Sequence, residues 1–209
     1  MREQILGSTK DMIKNLIFDV GGVLIGYRWK EMLTADFGMS DDEAEKMAHM
    51  IFEDPIWREF DRGCVDIDSL VEYYVSRHPD MENDLRRFFY GNDKMATERE
   101  AVWERIRQLK EKGYNIYILS NYSEYLFKKH TDPMPFRKMI DGGIVSYQAG
   151  TIKPEAEIYK HLLDKYDLDP KECMFFDDIK ANVDAAGALG IDAVLVTSEE
   201  SLLEDLGGL

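Results

Sequence analysis

Cysteine is scarce in this chain. Two of its 209 residues are cysteines, Cys64 and Cys173, and neither has a C-x-x-C partner or a His-rich neighbour. A disulfide framework or a zinc site needs more cysteines or histidines at close, regular spacings, so the sequence favours neither. We therefore expect the protein to work in a reducing compartment.

Positive charge and long apolar segments are also in short supply. Lys and Arg total 26 against 41 Asp and Glu, a net charge of −15 that argues against a nucleic-acid partner. The longest runs without a charged residue, 113–123 and 142–152, have 11 residues each, whereas a membrane-spanning helix needs roughly 18. The first 14 residues carry charges where a signal peptide has an apolar run of at least about 7. These features predict a cytoplasmic protein that binds neither nucleic acid nor membrane.

Short apolar runs alternate with helical patterns along much of the chain. Four runs rich in β-branched and aromatic residues predict buried strands, at residues 15–20, 114–120, 174–177 and 193–197. Residues 98–112 and 154–166 instead repeat apolar side chains at helical spacing, with Pro154 in the first turn of the second predicted helix. Strands that alternate with helices predict an α/β fold, a Rossmann-like doubly wound parallel sheet.

Residues 27–97 interrupt this alternation. They show helical periodicity and helix-start patterns at Ser40 and Asp66, but no convincing strand. With 9 basic and 17 acidic residues, they also hold just over half of the net negative charge. We therefore predict an α/β core of residues 1–26 and 98–209, with a helical cap, residues 27–97, inserted after the first strand.

Reactive side chains follow the ends of the predicted strands. Asp19, Ser120 and the pair Asp177-Asp178 each end a strand, and Lys153 lies just before a helix. The carboxyl ends of parallel strands meet at one edge of a sheet, which is where ligands bind. Because unpaired charges are costly to bury, their collection at this edge indicates a binding site. Carboxylates, a hydroxyl and an ammonium together suit a phosphate ester and a divalent cation.

The chemistry of each residue type suggests a role. Carboxylate oxygens are ligands that Mg²⁺ prefers, and Asp19 could also attack phosphorus to form an aspartyl-phosphate. Lys153 would offset negative charge on the phosphoryl oxygens, and Ser120 with the following backbone N–H would hold one of them. Gly21 and Gly22 would let the backbone approach the metal and phosphate closely.

Four motifs resemble those of the haloacid dehalogenase-like hydrolases, most of which are Mg²⁺-dependent phosphatases. In chain order they are Phe18-Asp19-Val20-Gly21-Gly22-Val23-Leu24, Leu119-Ser120-Asn121, Lys153-Pro154-Glu155, and Phe176-Asp177-Asp178 with Asn182. With their flanking strands they span residues 15–197, and the predicted cap resembles that of the family's first cap class. The bacterial α-D-glucose-1-phosphate phosphatase type is the most similar, because it shares Asp-x-Gly, Leu-Ser-Asn and Phe-Phe-Asp-Asp.

The resemblance implies a Mg²⁺ site. Asp19 would be both the nucleophile and a metal ligand. Gly21 would give a backbone carbonyl to the metal, and Asp178 would be the third protein ligand. Asp177 would orient Lys153 or a metal-bound water.

The resemblance also implies a phosphate site and a reaction. Ser120 and Asn121 would bind the phosphate, and Lys153 would bridge it to Asp19. The implied reaction is the hydrolysis of a small phosphorylated metabolite, a sugar phosphate by analogy with the most similar type.

Gly21 departs from the family's usual pattern. In most of its phosphatases this position holds a second Asp, the general acid and base, and such a group typically contributes about 10²- to 10⁴-fold. The glucose-1-phosphate type has the same Gly, so we expect a leaving group that is a comparatively acidic hydroxyl, such as an anomeric one.

Two other functions stay open from the sequence. Family members that dehalogenate 2-haloacids also lack the second Asp, but they tend to have Ser-Ser in place of the leading acids of the fourth motif, so Asp177-Asp178 favours a metal. A non-catalytic relative that binds metal or phosphate is the other alternative. The oligomeric state, monomer or dimer, is left undetermined.

Several further side chains have weaker sequence signals. Tyr27, Arg28 and Trp29 lie where the chain leaves the core, and any of them could contact substrate. Trp57 lies in the insert, where core packing is the default expectation. None of the four histidines, including His130, has the spacing of metal ligands, and we expect them at the surface or on helix faces.

Overall fold

A five-stranded parallel sheet forms the centre of the computed structural model, which describes residues 12–209. The strands are β1 (Asn15–Phe18), β2 (Ile25–Tyr27), β3 (Ala96–Glu98), β4 (Asn115–Ser120), β5 (Gly142–Val145), β6 (Cys173–Asp177) and β7 (Asp192–Leu195). The main sheet has the order β5-β4-β1-β6-β7, and β2 pairs with β3 in a separate antiparallel ribbon. Residues 1–11, which bear on the predicted start of the core and the predicted lack of a signal peptide, lie outside the described residues.

Ten helices surround the strands in the described part of the chain, apart from shorter and non-α turns. They are α1 (Asp41–Phe52), α2 (Pro55–Asp61), α3 (Ile67–Arg77), α4 (Glu82–Tyr90), α5 (Glu100–Glu111), α6 (Glu124–Thr131), α7 (Ser146–Ala149), α8 (Ala156–Tyr166), α9 (Lys180–Ala188) and α10 (Glu199–Gly207). A single turn, Trp29–Glu31, leads into a π-helical segment, Met32–Asp36. Among residues 12–209, no helix is both long enough and apolar enough to cross a membrane.

Helices cover both faces of the main sheet. Successive side chains of a strand point to opposite faces, and β1 follows this rule. Leu16 belongs to a hydrophobic cluster with Ile106 of α5 and Leu206 of α10. Ile17 belongs to a second cluster with Leu162 of α8. The predicted doubly wound α/β fold is therefore confirmed.

The edge strand β5 was not among the predicted strands, and the predicted start of α8 is wrong. Two glycines open β5 and weaken its strand signal. Gly143 nevertheless fits there, because a Cβ at this position would lie 2.4 Å from the Ile118 side chain of β4. Helix α8 begins at Ala156, two residues later than expected, because the Glu155 before it has an extended backbone.

The insert is helical between β2 and β3, as expected. The Ser40 side chain and Glu43 form a capping box at the start of α1, and Asp66 caps α3. The prediction of no strand in residues 27–97 is wrong at its edges, because Tyr27 and Ala96 pair across the β2–β3 ribbon. This ribbon crosses both predicted boundaries, and the division into core and cap at these residues stays a prediction.

Candidate active site

The predicted site residues converge because their strands are neighbours. β1 lies between β4 and β6, and Phe18 of β1 is in register with Ile118 and Phe176. Asp19 directly follows β1, while Ser120 ends β4 and Asp177 ends β6. The three side chains therefore meet at the carboxyl edge of the sheet.

Asp19 is the centre of this cluster and is only 7% exposed. Its Oδ1 accepts hydrogen bonds from the Ser120 hydroxyl and the Val20 N–H, both at 2.6 Å. Its Oδ2 lies 3.0 Å from the Lys153 ammonium. Burial raises the pKa of Asp19 to about 7, Lys153 opposes this shift, and Asp177 adds to it. A further positive charge beside Asp19 would favour its ionised form.

Lys153 is held in place through both its backbone and its ammonium group. The Asn121 side chain accepts a hydrogen bond from the Lys153 N–H at 2.7 Å and donates one to its carbonyl at 2.9 Å. The ammonium donates to Asp177 Oδ2 at 2.6 Å. Burial alone would lower the pKa of Lys153, but the adjacent Asp19 and Asp177 raise it, so the group stays charged.

Two predicted roles become more specific in this geometry. The Asn121 side-chain amide is bonded to the Lys153 backbone, so the predicted phosphate contact of Asn121 would have to come from its backbone N–H. The carboxylate of Asp177 is shared among Lys153, the Asn182 side chain and the Ile179 N–H. Of the two predicted roles for Asp177, orienting Lys153 is the one that matches these contacts.

The acids at this edge have the composition and spacing of a divalent-cation site. Asp19, Asp177 and Asp178 each place a carboxylate oxygen within 4.8 Å of the others. Oxygen ligands of this kind suit Mg²⁺. Gly22 makes room for the arrangement, because a Cβ there would lie 2.2 Å from Asp178 Oδ2, and its φ of +73° favours glycine. The residues present therefore fit the cation, and Asp178 is the exposed acid of the three whereas Asp19 and Asp177 are buried.

A pocket of about 280 Å³ lies beside the cluster, between the insert and the core. Its walls are mostly aromatic and include Trp29, Phe52 and Trp57 from the insert and Tyr122 from the core. Trp57 therefore lines a pocket, although it also packs against Phe52 with ring centroids 4.9 Å apart. One candidate for substrate contact, Arg28, is instead paired with acids of the insert.

Asp61, at the end of α2, is a pocket residue that the sequence analysis missed. Burial raises the pKa of Asp61 to about 7, the Ser123 N–H opposes this shift, and the negative charge of Asp19 adds to it. The next residue, Arg62, forms a two-pronged ion pair with Glu155 at 2.8 and 2.9 Å. This pair links the insert to the loop that carries Lys153. The sequence analysis includes Glu155 in the third motif, whereas Arg62 has no sequence signal beyond its charge.

His130 contacts the pocket residue Tyr122. It lies on helix α6, one of the two predicted placements, but on the buried face of that helix, and its Nδ1 lies 2.9 Å from the Tyr122 hydroxyl. Tyr122 directly follows the second motif, and its hydroxyl also contacts that of Tyr27 at 2.5 Å. These three side chains come from β2, the loop after β4, and α6, so only the fold brings them together.

A profile of the haloacid dehalogenase-like hydrolases matches residues 13–190. The chain belongs to this family. The predicted family and the predicted enzyme class, a hydrolase, are thereby confirmed. The narrower likeness to the α-D-glucose-1-phosphate phosphatase type stays a prediction.

Several relatives of this haloacid dehalogenase-like hydrolase match along most of their length. The sesquiterpene phosphatase astK of Aspergillus oryzae is 26% identical over 88% of this chain and 90% of its own. The D-ribitol-5-phosphate phosphatase of Bacteroides thetaiotaomicron is 25% identical over 87% of this chain and 90% of its own. A crystal structure of a family enzyme from the same bacterium, in complex with magnesium and inorganic phosphate, has a TM-score of 0.69 at 24% identity and covers 89% of this chain and 95% of that chain. This structural likeness agrees with the fold described above.

Proposed function

We propose that this enzyme is a Mg²⁺-dependent phosphatase that hydrolyses a small phosphorylated metabolite through an aspartyl-phosphate intermediate. The observation that carries the proposal is the environment of Asp19, a buried carboxylate in contact with Ser120 and Lys153 and beside two more acids. Two relatives that match along most of their length are phosphatases by name. The same surroundings would stabilise a transferring phosphoryl group.

The side chains divide the work as follows. Asp19 attacks phosphorus, and the bond between phosphorus and the leaving-group oxygen breaks. Ser120 and the Asn121 backbone N–H hold the phosphoryl oxygens, and Lys153 offsets their charge. Water then attacks phosphorus and releases Asp19. Asp177 keeps the Lys153 ammonium in position throughout, through the 2.6 Å hydrogen bond.

Mg²⁺ completes this site in the proposal. Asp19 and Asp178 would hold it, with the Gly21 carbonyl as the third protein ligand that the family resemblance implies. When bound, it supplies positive charge that favours ionised Asp19 and neutralises the phosphate. The structure in complex with magnesium and phosphate supports this choice of cation by analogy.

The pocket supports the proposed substrate class. Aromatic walls with few polar groups suit an organic group with an apolar face, and sugar rings have one. We therefore retain a sugar phosphate as the proposed substrate, in a cytoplasmic setting, with residues 27–97 acting as the cap. The acidic leaving group expected from Gly21 would make a 1-phosphate a better substrate than a 6-phosphate.

The two alternative functions, a 2-haloacid dehalogenase and a non-catalytic binding protein, would give different results in an activity assay. A 2-haloacid dehalogenase needs no metal, and the acid cluster of Asp19, Asp177 and Asp178 is the feature that disfavours it. A binding protein would retain metal and phosphate affinity without turnover. No single residue decides among the phosphatase, the dehalogenase and the binding protein. The assay therefore has to measure phosphate release, halide release, and binding of metal and phosphate.

The test is phosphate release from p-nitrophenyl phosphate and from a panel that includes hexose 1- and 6-phosphates, with Mg²⁺ or with EDTA. We expect Mg²⁺-dependent release that is lost in Asp19→Asn and retained in Asp164→Asn, an exposed acid of α8 that serves as the matched control. Halide release from 2-haloacids in EDTA would instead support the dehalogenase. Equal kcat/KM on 1- and 6-phosphates would contradict the preference for an acidic leaving group.

A further inference from the structure

The Tyr27 hydroxyl occupies the space beside Gly21, two residues after Asp19. A Cβ at position 21 would lie 2.4 Å from the Tyr27 hydroxyl oxygen and 2.8 Å from its ring. Gly21 is not among the glycines with positive φ, so its backbone alone would accept a side chain. Tyr27 is therefore the group that excludes one, and it places a hydroxyl where a side chain of position 21 would begin.

This hydroxyl belongs to a chain of three polar groups. Tyr27 contacts the Tyr122 hydroxyl at 2.5 Å, and Tyr122 contacts His130 Nδ1 at 2.9 Å. Tyr122 and His130 are buried. Burial raises the pKa of Tyr122 well above the usual range and lowers the pKa of His130 to about 4. At neutral pH both hydroxyls keep their protons and the imidazole is neutral.

A neutral imidazole can fix the direction of the chain. In the tautomer with its proton on Nδ1, His130 donates to Tyr122, and the Tyr122 hydroxyl, whose contact with Tyr27 permits donation in either direction, donates to Tyr27. The Tyr27 proton is then free to point away from Tyr122, towards the pocket that Tyr27 lines. Cleavage of an alkyl phosphate leaves an alkoxide, which needs a proton as the bond breaks.

We propose that Tyr27 is the catalytic residue that donates this proton, with Tyr122 and His130 as positioning residues. The inference rests on the proposed phosphatase function. As the bond from phosphorus to the leaving-group oxygen breaks, that oxygen takes the Tyr27 proton, and Tyr122 stabilises the tyrosinate by a hydrogen bond. The tyrosinate then takes a proton from the water that attacks the aspartyl-phosphate, which restores Tyr27 and releases phosphate.

Other polar groups at the site are already engaged. The Ser120 hydroxyl donates to Asp19, and the Lys153 ammonium contacts two carboxylates. The Asn121 amide is bonded to the Lys153 backbone. Asp61 is the remaining acid that lines the pocket, and it is compared directly with Tyr27 in the experiment.

The experiment measures kcat/KM over a series of phosphate esters, from p-nitrophenyl phosphate to an alkyl phosphate, with Mg²⁺ present. We expect Tyr27→Phe to lose about 10²-fold on the alkyl ester and less than about tenfold on p-nitrophenyl phosphate, whose leaving group needs little protonation. Tyr122→Phe should show the same trend with smaller losses. Tyr90→Phe is the control, because Tyr90 is 38% exposed against 40% for Tyr27 and also loses one bonded hydroxyl.

Substitutions of Gly21 and Tyr27, alone and together, test whether the Tyr27 hydroxyl takes the place of a side chain at position 21. Gly21→Asp alone should lower activity, since its side chain meets the Tyr27 hydroxyl. In a Tyr27→Ala background the same change has room and restores an acid, so we expect at least a tenfold gain on the alkyl ester over Tyr27→Ala alone. This gain distinguishes a missing proton donor from a damaged fold.

Two results would overturn the inference while leaving the phosphatase intact. One is a uniform loss in Tyr27→Phe across all leaving groups. The other is a leaving-group-dependent loss in Asp61→Asn with none in Tyr27→Phe. Absence of turnover by the unmodified enzyme on every ester would instead refute the proposed function itself, and this inference with it.

Discussion

Replacing Asp61 with Asn should stabilise the protein relative to the unmodified chain, and this gain should be larger at pH 8 than at pH 5. Burial, with the charge of Asp19 nearby, raises the pKa of Asp61 from its ordinary 3.8 to about 7. The folded state therefore binds this proton more tightly than the unfolded state does. Stability is lost as the pH rises from about 4 to about 7, because folding then requires either a bound proton or a buried charge.

The size of the effect follows from the shift. One pKa unit corresponds to 1.36 kcal/mol, so a shift from 3.8 to about 7 corresponds to at most about 4 kcal/mol at pH 8. Between pH 5 and pH 8, the stability gain of Asp61→Asn should grow by about 2 to 3 kcal/mol. Asn keeps an oxygen for the Ser123 N–H, and any constant difference between Asn and Asp cancels when the two pH values are compared.

The assay is urea unfolding at several pH values between 5 and 8, in EDTA so that cation binding does not contribute. The matched control is Asp164→Asn, an exposed acid of α8, whose stability profile should run parallel to that of the unmodified protein. Parallel profiles for Asp61→Asn as well would refute the reasoning. They would mean that Asp61 is solvated in the folded state and not enclosed beside Asp19.

Three further perturbations test other parts of the structure. Gly22→Ala should raise the Mg²⁺ activation constant about 10- to 100-fold by displacing Asp178; an unchanged Mg²⁺ titration of activity would contradict this. In a double-mutant cycle of Arg62→Met and Glu155→Gln, urea unfolding should give a coupling energy of about 1 to 2 kcal/mol, because the pair is two-pronged and partly buried; strictly additive effects would mean that the link is not formed in solution. Ser40→Ala should cost about 1 kcal/mol by removing the α1 capping box, and equal urea midpoints would count against that cap.

The sequence predicted the parts of the fold that depend on local pattern. Residues Leu16, Ile17 and Phe18, just before Asp19, are apolar and buried on both faces of the sheet, which is the signature of a central parallel strand. The β5 strand has no such signature, because it begins with Gly142 and Gly143. The side chains of Tyr166 and Ile118, from elsewhere in the chain, lie too close to these positions for a Cβ. At that edge of the sheet, packing requires glycine although glycine is a poor strand former.

The candidate site divides in the same way. Asp19 and Lys153 could be identified because strand ends and motif spacing mark them, and the structure brings them to 3.0 Å. Asp61 was missed, and Tyr27 was named only as one of three possible substrate contacts, because the positions of both side chains depend on contacts made across the boundary between insert and core. The hydrophobic pattern of the sequence does not indicate that the Tyr27 hydroxyl would meet a Cβ at position 21. The two positions become neighbours only because the chain turns after β1.

That steric exclusion also restricts how the site could evolve. A Cβ at position 21 would lie 2.4 Å from the Tyr27 hydroxyl oxygen, so an acid there requires Tyr27 to move, and we expect such a mutation to lower activity until Tyr27 has been lost. Loss of Tyr27 first would leave a gap beside Asp19 and a buried Tyr122 hydroxyl with one partner fewer. Gly21 and Tyr27 therefore form an epistatic pair, and we expect the two positions to change together, or not at all, among the descendants of this enzyme.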